Sequence, residues 1–160
     1  MRERHAAEIF LDLTSSGLEP ESAEILSGGA GLSGTRARNF ISGQSLPEIS
    51  STVEENLFSL VWGQMEDDVE RLVSKPDVVE RYGATDWETL NPAIRDIVVD
   101  LRFRGDFTPR TRTFLQSSIV ANDLSAFAML LSDRSLWQNV PRERFEQRMK
   151  YLSSALAEAE

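Results

Sequence analysis

Asn91-Pro92-Ala93-Ile94-Arg95-Asp96-Ile97-Val98-Val99-Asp100-Leu101-Arg102-Phe103-Arg104-Gly105 is the stretch on which the fold reading turns. Asparagine before proline is a capped helix start, because the Asn side chain accepts a free first-turn N–H and proline has none to lose. Ile94, Ile97, Val98 and Leu101 then recur at helical spacing, so one apolar face turns inward while Arg95, Asp96 and Arg102 fall off it. Gly105 ends the run. A central buried helix is expected here.

Working outward, the same period governs nearly every segment, and strand-like alternation is almost absent. Thr108-Pro109 repeats the cap-and-proline signal ahead of Phe114, Leu115, Ile119 and Val120. Asn122-Asp123 separates the next stripe, Leu124, Phe127, Ala128 and Leu131, and Val140-Pro141 opens a last helix with Phe145, Met149, Leu152 and Leu156. Upstream, Pro47 stands ahead of Val53, Leu57, Leu60, Val61, Met65, Val69, Leu72 and Val73, which step by threes and fours until Lys75-Pro76. That predicts a helix of about 28 residues and roughly 40 Å, with Glu54, Glu55, Glu66, Asp67 and Glu70 on its solvated face. Short helices are expected around Ile9, around Ile25 and from Ser33 to Gly43. The fold class is therefore all-α: eight to ten short helices around one long connecting helix. The whole chain, 1–160, reads as a single helical domain, with short helices over 1–45, the long helix over 46–76 and a helical lobe over 77–160.

Composition narrows the chemistry. The 160 residues are 41% hydrophobic and 27% charged, an ordinary globular balance, and a domain of this length shelters about two-thirds of its unfolded surface. There is no cysteine, which removes disulfides, thiolate metal sites and thiol nucleophiles. The one histidine, His5, excludes a multi-histidine zinc site and reads as a plain solvated residue. No metal and no cofactor is expected. No apolar run approaches a membrane span, and a net charge of −9 argues against nucleic acid, which needs a basic face. Charge is nevertheless segregated: residues 45–90 hold eleven acids against Arg71, Lys75 and Arg81, while 101–115 hold four arginines against Asp106 alone.

Several familiar motifs fail on inspection. Gly28-Gly29-Ala30-Gly31-Leu32-Ser33-Gly34 lacks the Lys-Ser/Thr ending and the preceding strand of a phosphate loop, and reads as a turn between helices. Glu66-Asp67-Asp68 points three ways from one helix. Glu3 or Glu8 with Asp12 would share one exposed helix, where neither acid is desolvated enough to serve as a proton donor.

The order of segments carries a resemblance. The central helix closes in Phe103-Arg104-Gly105, Trp137 precedes Val140-Pro141, and the final helix holds Arg142, Arg144 and Arg148. Gly17-Leu18 and Ala30-Gly31-Leu32-Ser33-Gly34-Thr35-Arg36-Ala37 lie upstream. Over about residues 10–156 this resembles the helical lobe of phage-type lysozymes, and more closely the pesticin-type muramidase domains of bacterial toxins and effectors. The resemblance implies a peptidoglycan glycan strand as substrate and delivery to the periplasm or cell wall. It implies a catalytic glutamate ahead of a β-hairpin bearing aspartate and threonine. Nothing before Gly17 reads as that hairpin, so no catalytic residue is assigned within the chain, and the acid is expected on an upstream lobe. What carries over is a substrate-binding wall: Arg144 and Arg148 in the last helix, and Arg102 and Arg104 beside the turn. For all four the competing expectation is an ion pair with the acidic long helix. Trp62, Trp87 and Trp137 could stack on sugars, but each sits among apolar neighbours that favour core packing. The alternative function is a non-catalytic helical interaction module, of immunity, adaptor or regulatory kind, steered to a partner protein by the separated charges.

Overall fold

The computed structural model describes residues 5–158. Of the acid pairs considered above, Glu3 lies outside them. Nine helices are present among the described residues and no strand, so the fold is all-α. None of the helices is long and apolar enough to cross a membrane. The chain divides into two compact units, residues 1–64 and 65–160, and the division falls inside the long helix rather than at either of its ends.

The first unit holds α1 (Ala6–Ser15), α2 (Pro20–Ser27), α3 (Gly34–Ser42) and the start of α4 (Ser51–Val73). α1 opens at His5, whose backbone N–H donates to the Glu8 carboxylate at 3.0 Å, and α1 packs on α2. The Gly28–Gly34 run forms the turn into α3, as its composition predicts. α4 is shorter than the expected 46–76. Pro47 stays outside it, because Ser50 supplies a better start: its hydroxyl accepts the Val53 N–H at 3.3 Å, the bond an N-cap serine makes.

The second unit holds the rest of α4, then α5 (Pro76–Tyr82), α6 (Pro92–Phe103), α7 (Pro109–Val120), α8 (Leu124–Ser132) and α9 (Arg142–Glu158). Proline stands in the first turn of α5, α6 and α7. The expected caps are in place: Asn91 accepts from the Ala93 N–H and Thr108 from the Thr111 N–H. α6 is the centre, with Ile94, Val98 and Leu101 wholly buried. It packs against α8 and α9, and Leu115 and Ile119 of α7, Phe127 of α8 and Leu152 of α9 are sealed from solvent with it. The expected stripe on α7 is partly displaced. Gln116 is fully buried there in place of Phe114 and Val120, and its amide reaches Thr85 Oγ1 at 3.3 Å.

Two helix ends decide how the loops run. After α6, Gly105 takes a positive φ of 79°; its N–H bonds to the Arg102 carbonyl and that of Asp106 to Leu101. This left-handed closure turns the chain back and sets Asp106 beside α6. After α7 the same closure is made by Asn122, the one non-glycine described residue with positive φ, 51°. Asn tolerates that region better than other side chains. The Asn122 amide then accepts the Asn91 N–H at 2.7 Å and donates to the Thr89 carbonyl at 3.0 Å, tying the entry of α6 to the exit of α7.

Candidate functional site

The four arginines of the expected glycan wall meet different fates. Arg148 sits in the α9 position that faces α6, where only 5% of it is exposed. Its Nε donates to Asp100 Oδ2 at 2.7 Å and its Nη2 to Asp106 Oδ2 at 3.0 Å. One buried cation thus joins α9, α6 and the Gly105 turn. Arg102 pairs with the long helix: both Nε and Nη2 reach Asp68 Oδ2 at 2.5 Å, while Arg71 binds the other oxygen. Of the four, only Arg102 forms the expected pair with the acidic long helix. Arg104 is exposed and lies 5.6 Å from the Phe103 ring. Arg144, half-buried one turn ahead of Arg148, has no ion-pair partner among the described residues.

Asp68 shows what such pairing does. Burial pushes its carboxyl upward, but hydrogen bonds from Arg71 and Arg102, together with their charges, outweigh burial and hold it below its ordinary value. A carboxylate whose folded pKa is depressed adds stability above its unfolded pKa, and that stability fades as pH falls through the folded value. Asp68→Asn should therefore melt below the parent at neutral pH. The two should converge as the pH drops under about 4, the ordinary aspartate range. Thermal melts across that window check the sign, and a gap that persisted at the acid end would contradict it. Elsewhere on the same unit, the Tyr151 phenol donates to Asp96, and this bond pushes its pKa up to about 12.

The tryptophans divide likewise. Trp137 is 3% exposed, donates its indole N–H to the Leu130 carbonyl at 3.1 Å and meets Phe114 edge-on at 5.6 Å. Trp87 is buried under the Arg95 guanidinium, which also donates to the Trp87 carbonyl. Both are core residues. Trp62 is half-buried and tilts against the exposed Phe58 ring at 5.7 Å.

Among the described residues no cluster of three or more His, Asp or Glu side chains could hold a metal ion. His5 is exposed.

A second feature lies wholly in the first unit. A groove of about 370 Å³ runs between α1, the end of α2 and α3, lined by Ile9, Leu26, Ala30, Leu32, Phe40 and Ile41. Its floor depends on Gly29, where an added Cβ would come within 3.0 Å of the Phe40 ring. α3 has no fully buried residue. Sequence periodicity identifies Ala37, Phe40 and Ile41 as a helical stripe but does not show that Ala37 and Phe40 are only half-buried and Ile41 exposed. The readable signal is charge: from Ile25 through Pro47 the chain has no acidic residue, only Arg36 and Arg38.

A family model matches residues 1–149, and its description is Domain of unknown function (DUF8812). No curated protein and no solved structure matches the chain.

Proposed function

We propose, for a chain that belongs to the DUF8812 family, that it is a non-catalytic helical module for binding another protein. The observation that carries this reading is how unevenly apolar side chains are sheltered. Twenty-one described apolar residues of the second unit are buried, against Leu13, Ala23 and Val53 in the first. Ile41, Leu11 and Phe58 of the first unit remain mostly exposed, at 61%, 61% and 57%, while Met129, at 73%, and Tyr151, at 42%, are the exposed large apolar residues of the second. Ile41 shares an apolar groove with Leu26 and Phe40, and a contiguous apolar patch at a surface marks a binding site. Two of the four arginines that suggested a glycan wall hold helices together instead, Arg148 paired to Asp100 and Asp106 and Arg102 to Asp68.

The test is purification of the full chain from its native cell at low and high salt. A protein partner recovered in stoichiometric amount and lost at high salt is the expected result. Clearing of a cell-wall suspension by the chain itself would overturn the reading.

One observation favours the second reading, a peptidoglycan-directed muramidase-like domain whose proton donor lies on an upstream lobe. Arg144 is half-buried without an ion-pair partner among the described residues, at the position the resemblance assigns to the cleft wall. Under that reading Arg144→Ala abolishes binding to purified glycan strands while the melting temperature moves by only a few degrees. Under the leading reading no glycan binding exists to be lost.

A further inference from the structure

We infer that the end of the second unit where α6 stops and α9 starts binds an acidic segment of a partner protein, held by Arg104 and Arg144 together. The inference rests on the interaction-module reading and adds to it a charged contact on the second unit.

The register of the two helices brings these arginines side by side. Tyr151 of α9 donates to Asp96 of α6, and one turn on, Arg148 Nε donates to Asp100 Oδ2 at 2.7 Å. The contacts climb α6 while they descend α9, so the two helices run antiparallel with these strips facing. A further turn of four residues on each helix pairs position 104 with position 144, and both are arginine. Residue 104 still belongs to the strip, because its backbone is helical and its N–H bonds to the Asp100 carbonyl at 3.0 Å. Two rungs that join a donor to a carboxylate are thus followed by one where like charges meet. Neither arginine has an ion-pair partner among the described residues.

The acids of this end do not answer them. Asp100 and Asp106 are held by Arg148, and Glu146 by Arg142. Glu143 is exposed and lies about 100° round α9 from Arg144. A third unmatched cation stands at the same turn. Thr111 Oγ1 donates to the Asp106 carbonyl at 2.8 Å, and the neighbouring Arg112 packs its guanidinium 5.9 Å from the Phe107 ring. The Arg112 Nε is shielded from solvent and has no acceptor among the described residues. Folding gives Arg144 little reason to be a cation, since it sits in the first turn of α9, where the helix dipole opposes positive charge. Adjacent guanidinium forks match carboxylates, each of which can accept two parallel N–H bonds. Nucleic acid fits less well, because its closely spaced phosphates would run on past this end over a chain of net charge −9.

The probe is a labelled synthetic peptide of about ten residues rich in glutamate, compared with a twin in which glutamine replaces every glutamate. Fluorescence anisotropy with the full chain should show the acidic peptide binding at least about tenfold more tightly, with the preference shrinking as salt rises. Arg104→Ala with Arg144→Ala should weaken that binding about tenfold or more and leave the circular dichroism unchanged. Arg36→Ala with Arg38→Ala removes the same charge from exposed positions of the first unit and should leave the affinity within about twofold.

Equal binding of the two peptides, an equal loss from the Arg36 and Arg38 pair, or tighter binding of a single-stranded oligonucleotide of the same length would each overturn the inference. The two levels separate cleanly. A stoichiometric partner that still copurifies with the Arg104→Ala, Arg144→Ala chain leaves the interaction module standing and removes the arginine contact, whereas absence of any partner with clearing of cell walls removes both.

Discussion

Arg148→Ala is expected to lower the melting temperature by about 10 °C, corresponding to roughly 3 kcal/mol for a chain of this size. The loss does not come from a missing contact alone. Asp100 and Asp106 both point at the same guanidinium, with about 30% and 24% of their side chains exposed. Without the cation two half-buried carboxylates lose their shared counter-charge, and breaking a buried pair from one side is the expensive direction. Replacing all three residues together, as Arg148→Met with Asp100→Asn and Asp106→Asn, should recover most of the loss. Arg104→Ala, on an exposed side chain, should stay within about 0.5 kcal/mol. A glycan-contacting role for Arg148 predicts the opposite: unchanged melting with binding lost.

Trp137→Ala should be at least as damaging, about 3–5 kcal/mol, the range for deleting a buried indole. The ring fills the core beside Phe114 and its N–H satisfies the Leu130 carbonyl, so truncation leaves both a cavity and an unpaired acceptor. Trp137→Phe, which keeps most of the bulk and drops the hydrogen bond, should fall well short of that loss. Were Trp137 a sugar-stacking platform, alanine would leave stability nearly intact. Urea denaturation of the two variants distinguishes these outcomes, because a core deletion shifts the midpoint and a surface one does not.

Much of the fold is legible in the chain because its helix starts are written in side chains with one physical job. Asn91-Pro92 and Thr108-Pro109 cap and open α6 and α7 as their chemistry requires, and the Leu124, Phe127, Leu131 stripe is the buried face of α8. Local signals mislead where two compete: Pro47 and Ser50 both offer a start to α4, and only the backbone course decides for Ser50. The site was harder to read for a different reason. Arginine at a helical position looks the same in sequence whether it points out, as Arg104 does, or in, as Arg148 does. The difference lies in partners 48 and 42 residues away, and no local pattern encodes a separation of that kind. Gln116 escaped for the same reason, its partner Thr85 being 31 residues distant. The groove stayed hidden because periodicity marks which face of α3 is apolar and is silent on whether anything covers it.

The anchoring of Arg148 also constrains how the polypeptide matures. Asp100 and Asp106 are synthesised more than forty residues before the cation that neutralises them, and Leu152, which helps close the same interior, arrives later still. While translation is under way, α6 and α8 stand with an uncovered oily flank and two unanswered negative charges. The emerging lobe is then at its most vulnerable to proteolysis and to clumping with its neighbours. A stalled or clipped product lacking the final seventeen-residue helix should be cleared by the cell instead of accumulating as a smaller working version.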